Sequence, residues 1–189
     1  PAAVLWCLGY LLLARARDAK CVLLVPNNMG VCTYLKSVGL FHILQKNKVE
    51  VDDRGISRKQ DSQTILSLTR FDAESEVETL TNNAIEALQE SQVGASNLYP
   101  LVSETFGELA MNAVQHAGSP IGAYGLIQFY DFAKGKRFMC AVADGGIGIR
   151  RSLEKNPEHR DRVPYDWVAI ELAIRERVSG TLDKHRGIG

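Results

Sequence analysis

The chain is short of several things, and each shortage removes a class of function. Its 22 Lys+Arg equal its 22 Asp+Glu, so no net charge draws it to nucleic acid or to an anionic membrane surface. Its four cysteines, Cys7, Cys21, Cys32 and Cys140, form no C-x-x-C pair, which argues against a zinc site or a dithiol redox centre. They read as reduced, mostly buried thiols of a cytoplasmic protein. The apolar opening meets its first charge at Arg15, too early for the ~20 residues of a membrane-spanning helix. A signal peptide would carry positive charge before its apolar run, not after it, so a buried helix is expected. No G-x-x-x-x-G-K-[ST] occurs, and the one Gly-Lys step, Gly135-Lys136, falls in an expected hairpin turn, which disfavours Walker-type phosphate binding. Repeats and low-complexity tracts are absent. The chain also lacks an initiator Met and stops at His-Arg-Gly-Ile-Gly, which reads as an excised fragment or a processed product.

What is present fits one domain, or one with a small companion. Residues 3–17 are expected to be helical. Residues 20–26 and 40–44 read as short buried strands flanking a helix at 27–39 that Gly39 closes, a small βαβ pattern. The polar, non-periodic stretch 45–63 reads as a linker or long loop. Beyond it, 64–71 alternates as a strand, and 72–91 reads as an amphipathic helix capped by Asp72. A long helix is expected at 96–118. Two strands, 124–132 and 136–144, join through a tight turn. A charged stretch, 150–166, and a helix at 164–180 complete the pattern. This places a small α/β segment at 1–60 and a larger domain at 61–189.

The helix at 101–117 carries the first concentration of chemistry. Val102, Phe106, Leu109, Ala113 and Ala117 recur at three- and four-residue steps and define an apolar face. Glu104, Glu108, Asn112 and His116 recur at four-residue steps on the other side. A solvated polar face is one reading of that row. Against it, the helix has no Lys or Arg, and Gly107 sits in its middle at about 1 kcal/mol relative to Ala. Close packing at Gly107 is therefore expected.

The second concentration is Asp144-Gly-Gly-Ile-Gly148, at the end of an apolar strand. Glycine placed so densely implies that the backbone must be bare or unusually bent. A dinucleotide-binding turn is disfavoured, because Arg151 stands where G-x-G-x-x-G needs its third glycine.

Glu-x-x-x-Asn-x-x-x-His on a helix, followed by Asp-x-Gly-x-Gly at a strand end, resembles the ATP-binding domain of the GHKL superfamily, which has the Bergerat fold. "ELAMNAVQH" looks like its N box and "DGGIG" like its first glycine box. The terminal "RGIG" is similar to the start of its second. The resemblance covers about 64–189 and is closest to the anti-sigma-factor serine kinases. It implies an α/β two-layer sandwich: a mixed, mostly antiparallel sheet with helices on one face, preceded by the small α/β segment.

The resemblance also implies roles. Asp144 would accept the adenine amino group, with Gly146 and Gly148 beside the base. Asn112 would ligate Mg²⁺, and Glu108 would be the general base. His116 would stand near the phosphates or serve a structural hydrogen bond. Arg186, Gly187 and Gly189 would contact the phosphates from the second glycine box, with Lys184 and His185 nearby; a solvated basic run is the alternative. Residues 150–186 would form the ATP lid.

The implied cofactors are ATP and Mg²⁺, and the implied partners a regulatory protein and a second copy of the chain. Nucleic acid and membrane are not implied. The implied function is an ATPase or protein kinase of a bacterial-type regulatory system. A non-catalytic, ATP-gated interaction module and a sensor histidine kinase domain lacking its phospho-acceptor hairpin are the alternatives. His42, the only His upstream of the motifs, lies in an expected strand, which disfavours the last. The pattern at 1–60 is similar to a STAS-like (anti-sigma antagonist) module, with a generic packing extension as the alternative.

Overall fold

The computed structural model describes residues 2–53, 55–56, 64–90, 98–132 and 135–174, with 131–132 and 135–136 described by backbone alone. Element order is α1 (Ala2–Ala16), β1 (Val22–Leu24), α2 (Met29–Ser37), α3 (Leu40–Lys46), β2 (Glu50–Asp52), β3 (Thr64–Phe71), α4 (Glu74–Glu90) and α5 (Leu98–Leu101). A π-helical turn (Val102–Gly107) leads into α6 (Glu108–His116). Then come β4 (Ala123–Phe132), β5 (Gly135–Asp144), α7 (Gly148–Glu154), α8 (Pro157–Arg160) and α9 (Asp166–Ala173). The chain is mixed α/β.

Two sheets form. β3, β4 and β5 make an antiparallel sheet in that order, and β1 and β2 pair in parallel. In the larger sheet the β4–β5 register runs unbroken from Ala123 opposite Asp144 to Phe132 opposite Gly135. That register hands Asp144 to the sheet end where β4 begins.

Strand β4 is apolar on both faces, so both must be covered. On one face Ala123 and Ile127 pack with Phe71 of β3, with Val77, Ala84 and Leu88 of α4, and with Val102, Phe106 and Ala110. Gly125 lies on this face because a Cβ there would come within 2.7 Å of the Phe106 ring. On the other face Tyr124 and Leu126 pack with Leu5, Leu8 and Leu12 of α1 and with Phe41 and Leu44 of α3. The expected sandwich has helices on one face. In the structure the N-terminal segment fills the second face, giving three layers. One core therefore crosses the expected boundary near residue 60.

Gln128 ties the same seam by polar contacts. It is fully buried, and its Oε1 accepts from the Tyr34 hydroxyl of α2 and the Tyr130 hydroxyl, each at 2.8 Å. Its Nε2 donates to Thr64 Oγ1 at 3.4 Å. A buried amide needs such partners.

Several expectations are corrected. Residues 40–44 are helical, not a strand. Leu40, Phe41 and Leu44 are buried while His42 is exposed, a spacing of one helical face, and Gln45 and Lys46 extend the run with good helix formers. Gly39, at φ +93°, breaks α2 from α3. Within the expected linker, Glu50–Asp52 is a strand, opposite Val22–Leu24; residues 57–63 lie outside the described residues.

Asp72 does not cap α4. Glu76 reaches back instead, its Oε2 accepting the N–H groups of Asp72 (2.7 Å) and Ala73 (3.0 Å), one half of a capping box. These two bonds hold the Glu76 carboxyl below the usual carboxylate range. Asp72 pairs with Arg70 at 2.7 Å. Of the expected lid, residues 150–174 are largely helical, with a small core of Leu153, Val163, Ala169 and Leu172. Of the helix expected at 164–180, Asp166–Ala173 is helical, and residues 175–180 lie outside the described residues.

Candidate functional site

The candidate site is built from α6 and the loop leaving β5. The π-helical turn at Val102–Gly107 sets the rotation of α6. Its wider i→i+5 spacing places Val102, Phe106, Ala110, Ala113 and Ala117 inside and leaves Leu109 46% exposed. The expected apolar face thus slips by one residue after Phe106: Ala110 is buried where Leu109 was expected. Glu108 and Asn112 remain exposed on the outer side, one turn apart. Neither makes a polar contact among the described residues. His116 is half-buried and already interacts with a neighbouring group. Glu104 is exposed but belongs to the π turn rather than to α6.

Gly107 is not tightly packed. A Cβ there would meet only Thr81 Oγ1, at 3.9 Å, in ordinary contact, and its backbone is right-handed helical. The close approach expected at this glycine is therefore absent.

The three glycines after Asp144 have three separate reasons. Gly145 lies against side chains, since a Cβ would come within 2.7 Å of Leu13 Cδ2 and 2.9 Å of Ile121 Cγ1. Gly146 lies against backbone, where a Cβ would collide with the carbonyl of Ala117. Gly148 has open space around it but a φ of +78°, a conformation glycine adopts freely.

Hydrogen bonds pin this loop to the end of α6. The Ile147 N–H donates to the Ala117 carbonyl at 2.9 Å. The Gly145 N–H donates to Ser119 Oγ at 2.9 Å, and Ser119 Oγ donates to the Gly122 carbonyl at 2.6 Å. Asp144 Oδ1 accepts the Gly146 N–H at 2.8 Å, so one carboxylate oxygen is fixed by its own loop. The carboxylate as a whole is exposed.

Sequence reasoning missed Ser119. It follows the helix in a Gly-Ser-Pro tract, where a short hydroxyl side chain commonly bonds nearby backbone. It missed Gln115 too, whose Nε2 donates to Glu74 Oε1 at 2.9 Å and locks α6 to α4.

The loop thus seats Gly146 and Ile147 against the end of the helix that carries Glu108, Asn112 and His116, with Asp144 and Gly148 on either side of that contact. A cleft of about 680 Å³ opens beside it between α7 and α9, lined by Ile147, Gly148, Arg150 and Asp166 among others. Glu108, Asn112, His116 and Asp144 do not line it. Arg186, Gly187 and Gly189, with Lys184 and His185, lie outside the described residues. Among the described residues no cluster of three His, Cys, Asp or Glu side chains offers a metal site, and no helix is long and apolar enough to cross a membrane. No family model, curated protein or solved structure matches the chain.

Proposed function

We propose that the chain carries an Mg-ATP-binding domain of the GHKL type, a Bergerat-fold ATPase or protein kinase of a bacterial-type regulatory system. The observation that carries this reading is the seating of the Asp144–Gly148 loop on the C-terminal end of α6, through Gly146 and the Ile147-to-Ala117 hydrogen bond. This loop and α6 are the two stretches on which the resemblance rests. Their packing against one another is what a shared nucleotide site requires.

In this reading Asp144 recognises the adenine amino group. Its Oδ1 is oriented by the Gly146 N–H, which leaves Oδ2 to accept from the base. Asn112 suits Mg²⁺ in kind: it presents an exposed amide oxygen without a protein partner among the described residues. Mg²⁺ is a hard ion that commonly takes one or two protein oxygens and completes its shell with water and substrate phosphates. When bound it neutralises phosphate charge. Glu108, one turn before Asn112 and equally exposed, orients and deprotonates the attacking hydroxyl or water. The regulatory partner, and whether the chain pairs with a second copy, belong to the same proposal.

Calorimetric titration with ATP and Mg²⁺ tests it, with Asp144→Asn alongside. Saturable binding that is lost in the variant supports the reading. Binding that survives Asp144→Asn unchanged, or no binding in a longer chain that continues past Gly189, removes it.

A further inference from the structure

A second cleft, of about 350 Å³, lies at the seam between the N-terminal segment and the large sheet. Arg15, Lys46, Lys48 and Arg70 line it, and no Asp or Glu does. In a chain whose charges balance overall, four cations facing one concavity form a local exception.

Part of that charge has a structural use. Arg15 lies in the last turn of α1, and its Nη1 donates to the Ala19 carbonyl at 2.8 Å. Lys46 ends α3. Cations at helix C-termini offset the partial negative charge there, roughly half a unit per helix. Arg70 pairs with Asp72 at 2.7 Å and donates from Nε to the Ile121 carbonyl at 3.0 Å. Subtracting one charge for Asp72 and about half for each helix end leaves roughly two positive charges without a counterpart.

Two further observations single out the cleft. The Arg15 Nε is buried with no hydrogen-bond partner, and a buried donor of that kind calls for a bound water or ion. Lys48 takes the left-handed conformation, at φ +61°, in the turn that ends α3. Glycine or asparagine normally fills that position, so the turn holds a cation where its backbone favours a smaller residue. Lys46 and Lys48 make no ion pair among the described residues.

We propose that this cleft is an anion site that takes a phosphate group, free or as the head of a small phosphomonoester. The remaining wall, including Leu12 and Ile121, is apolar and suits a small organic body beside the phosphate. A ligand here touches α1, the α3–β2 turn and β3 at once. It therefore favours the docked form of the N-terminal segment by mass action. The site is separate from the proposed nucleotide site and stands without it.

The test is thermal stability under titration with inorganic phosphate and with glycerol phosphate, at constant ionic strength set with chloride. Neither nucleotide nor Mg²⁺ is present, so the result does not depend on the ATP reading. The wild type should show a saturable rise in Tm with either anion. The Lys46→Gln/Lys48→Gln variant changes two exposed side chains and should still fold, yet bind about tenfold or more weakly. A distant control, Lys155→Gln, should respond like the wild type. Tighter binding of glycerol phosphate than of phosphate assigns the apolar wall to an organic body; equal binding assigns the site to the free anion. A phosphate response no larger than that of chloride, or one unchanged in the double variant, overturns the proposal.

Discussion

The Ile147 N–H donates to the carbonyl of Ala117, and Gly146, the residue before it, has no room for a methyl group against that same carbonyl. Helix end and glycine loop are therefore one structural unit. Gly146→Ala should be the most damaging of the loop substitutions, by about 1–3 kcal/mol or more, because its obstacle is backbone. Gly148→Ala should lose about 1–2 kcal/mol for its left-handed φ. Gly145→Ala should lose less than Gly146→Ala, since the Leu13 and Ile121 side-chain ends can move. Urea denaturation of the three variants gives the order, and a Gly146→Ala protein as stable as the wild type would sink this account of the loop.

Gly107 should behave in the opposite way. It has helical dihedrals and only an ordinary contact to Thr81. Gly107→Ala should therefore raise stability by roughly 0.5–1 kcal/mol through helix propensity and a less flexible unfolded chain. A loss of stability would mean that the π turn itself needs glycine.

The larger sheet and α4 were legible because long periodic stretches and turn residues mark them. The strands expected at 64–71, 124–132 and 136–144 fall within a residue of those observed. The third layer was signalled less openly. Tyr124 and Leu126 on one face, with Ala123 and Ile127 on the other, already imply a strand covered on both sides. Nothing local says which segment covers it. The run 40–44 was misread because five apolar residues fit either a strand or a helix turn. The burial of Ala110 in place of Leu109 follows from a π turn, which has no simple signature in residue type. At the site, Asp144 and the glycines stood out by composition. Ser119 did not, since its role depends on a loop that comes 26 positions later in the chain.

The buried amide of Gln128 gives a test of whether the N-terminal segment and the sheet unfold together. Tyr34→Phe and Tyr130→Phe each remove one donor to its Oε1 and should cost about 0.5–1.5 kcal/mol. The double variant leaves that oxygen buried with neither donor, so its loss should exceed the sum of the two. Each variant should still melt in a single transition. Two transitions would show that the shared core does not couple the segments.

Acid should weaken the fold through two carboxylates, the exposed Glu76 and the half-buried Asp53. Backbone N–H groups of Asp72 and Ala73 hold Glu76 below its ordinary range, and Lys36 with the Gly55 N–H does the same for Asp53. A carboxyl lowered in the folded state contributes stability that is present above its unfolded value, about 4. That contribution is lost as pH falls through the folded value. Glu76→Gln should therefore be less stable than the wild type near neutrality and lose less on acidification. Denaturation midpoints from neutral pH down into the acid range check the convergence. Parallel curves at all pH values would show that the Glu76 charge is not what the cap uses.

The proposed chemistry separates along α6. Glu108 and Asn112 lie one turn apart and are both exposed, so substitutions there should leave the fold intact. Glu108→Ala should keep ATP affinity near that of the wild type and lower phosphoryl transfer or hydrolysis by about 10²–10⁴-fold, the usual contribution of a positioned base. Asn112→Ala should weaken ATP binding with Mg²⁺ present and change it little with EDTA, because its amide acts only through the metal. Single-turnover kinetics combined with calorimetry separate the two roles. Equal loss of binding in both variants would place Glu108 among the ligand contacts rather than at the chemical step. Unchanged turnover in Glu108→Ala would put the general base elsewhere than at Glu108.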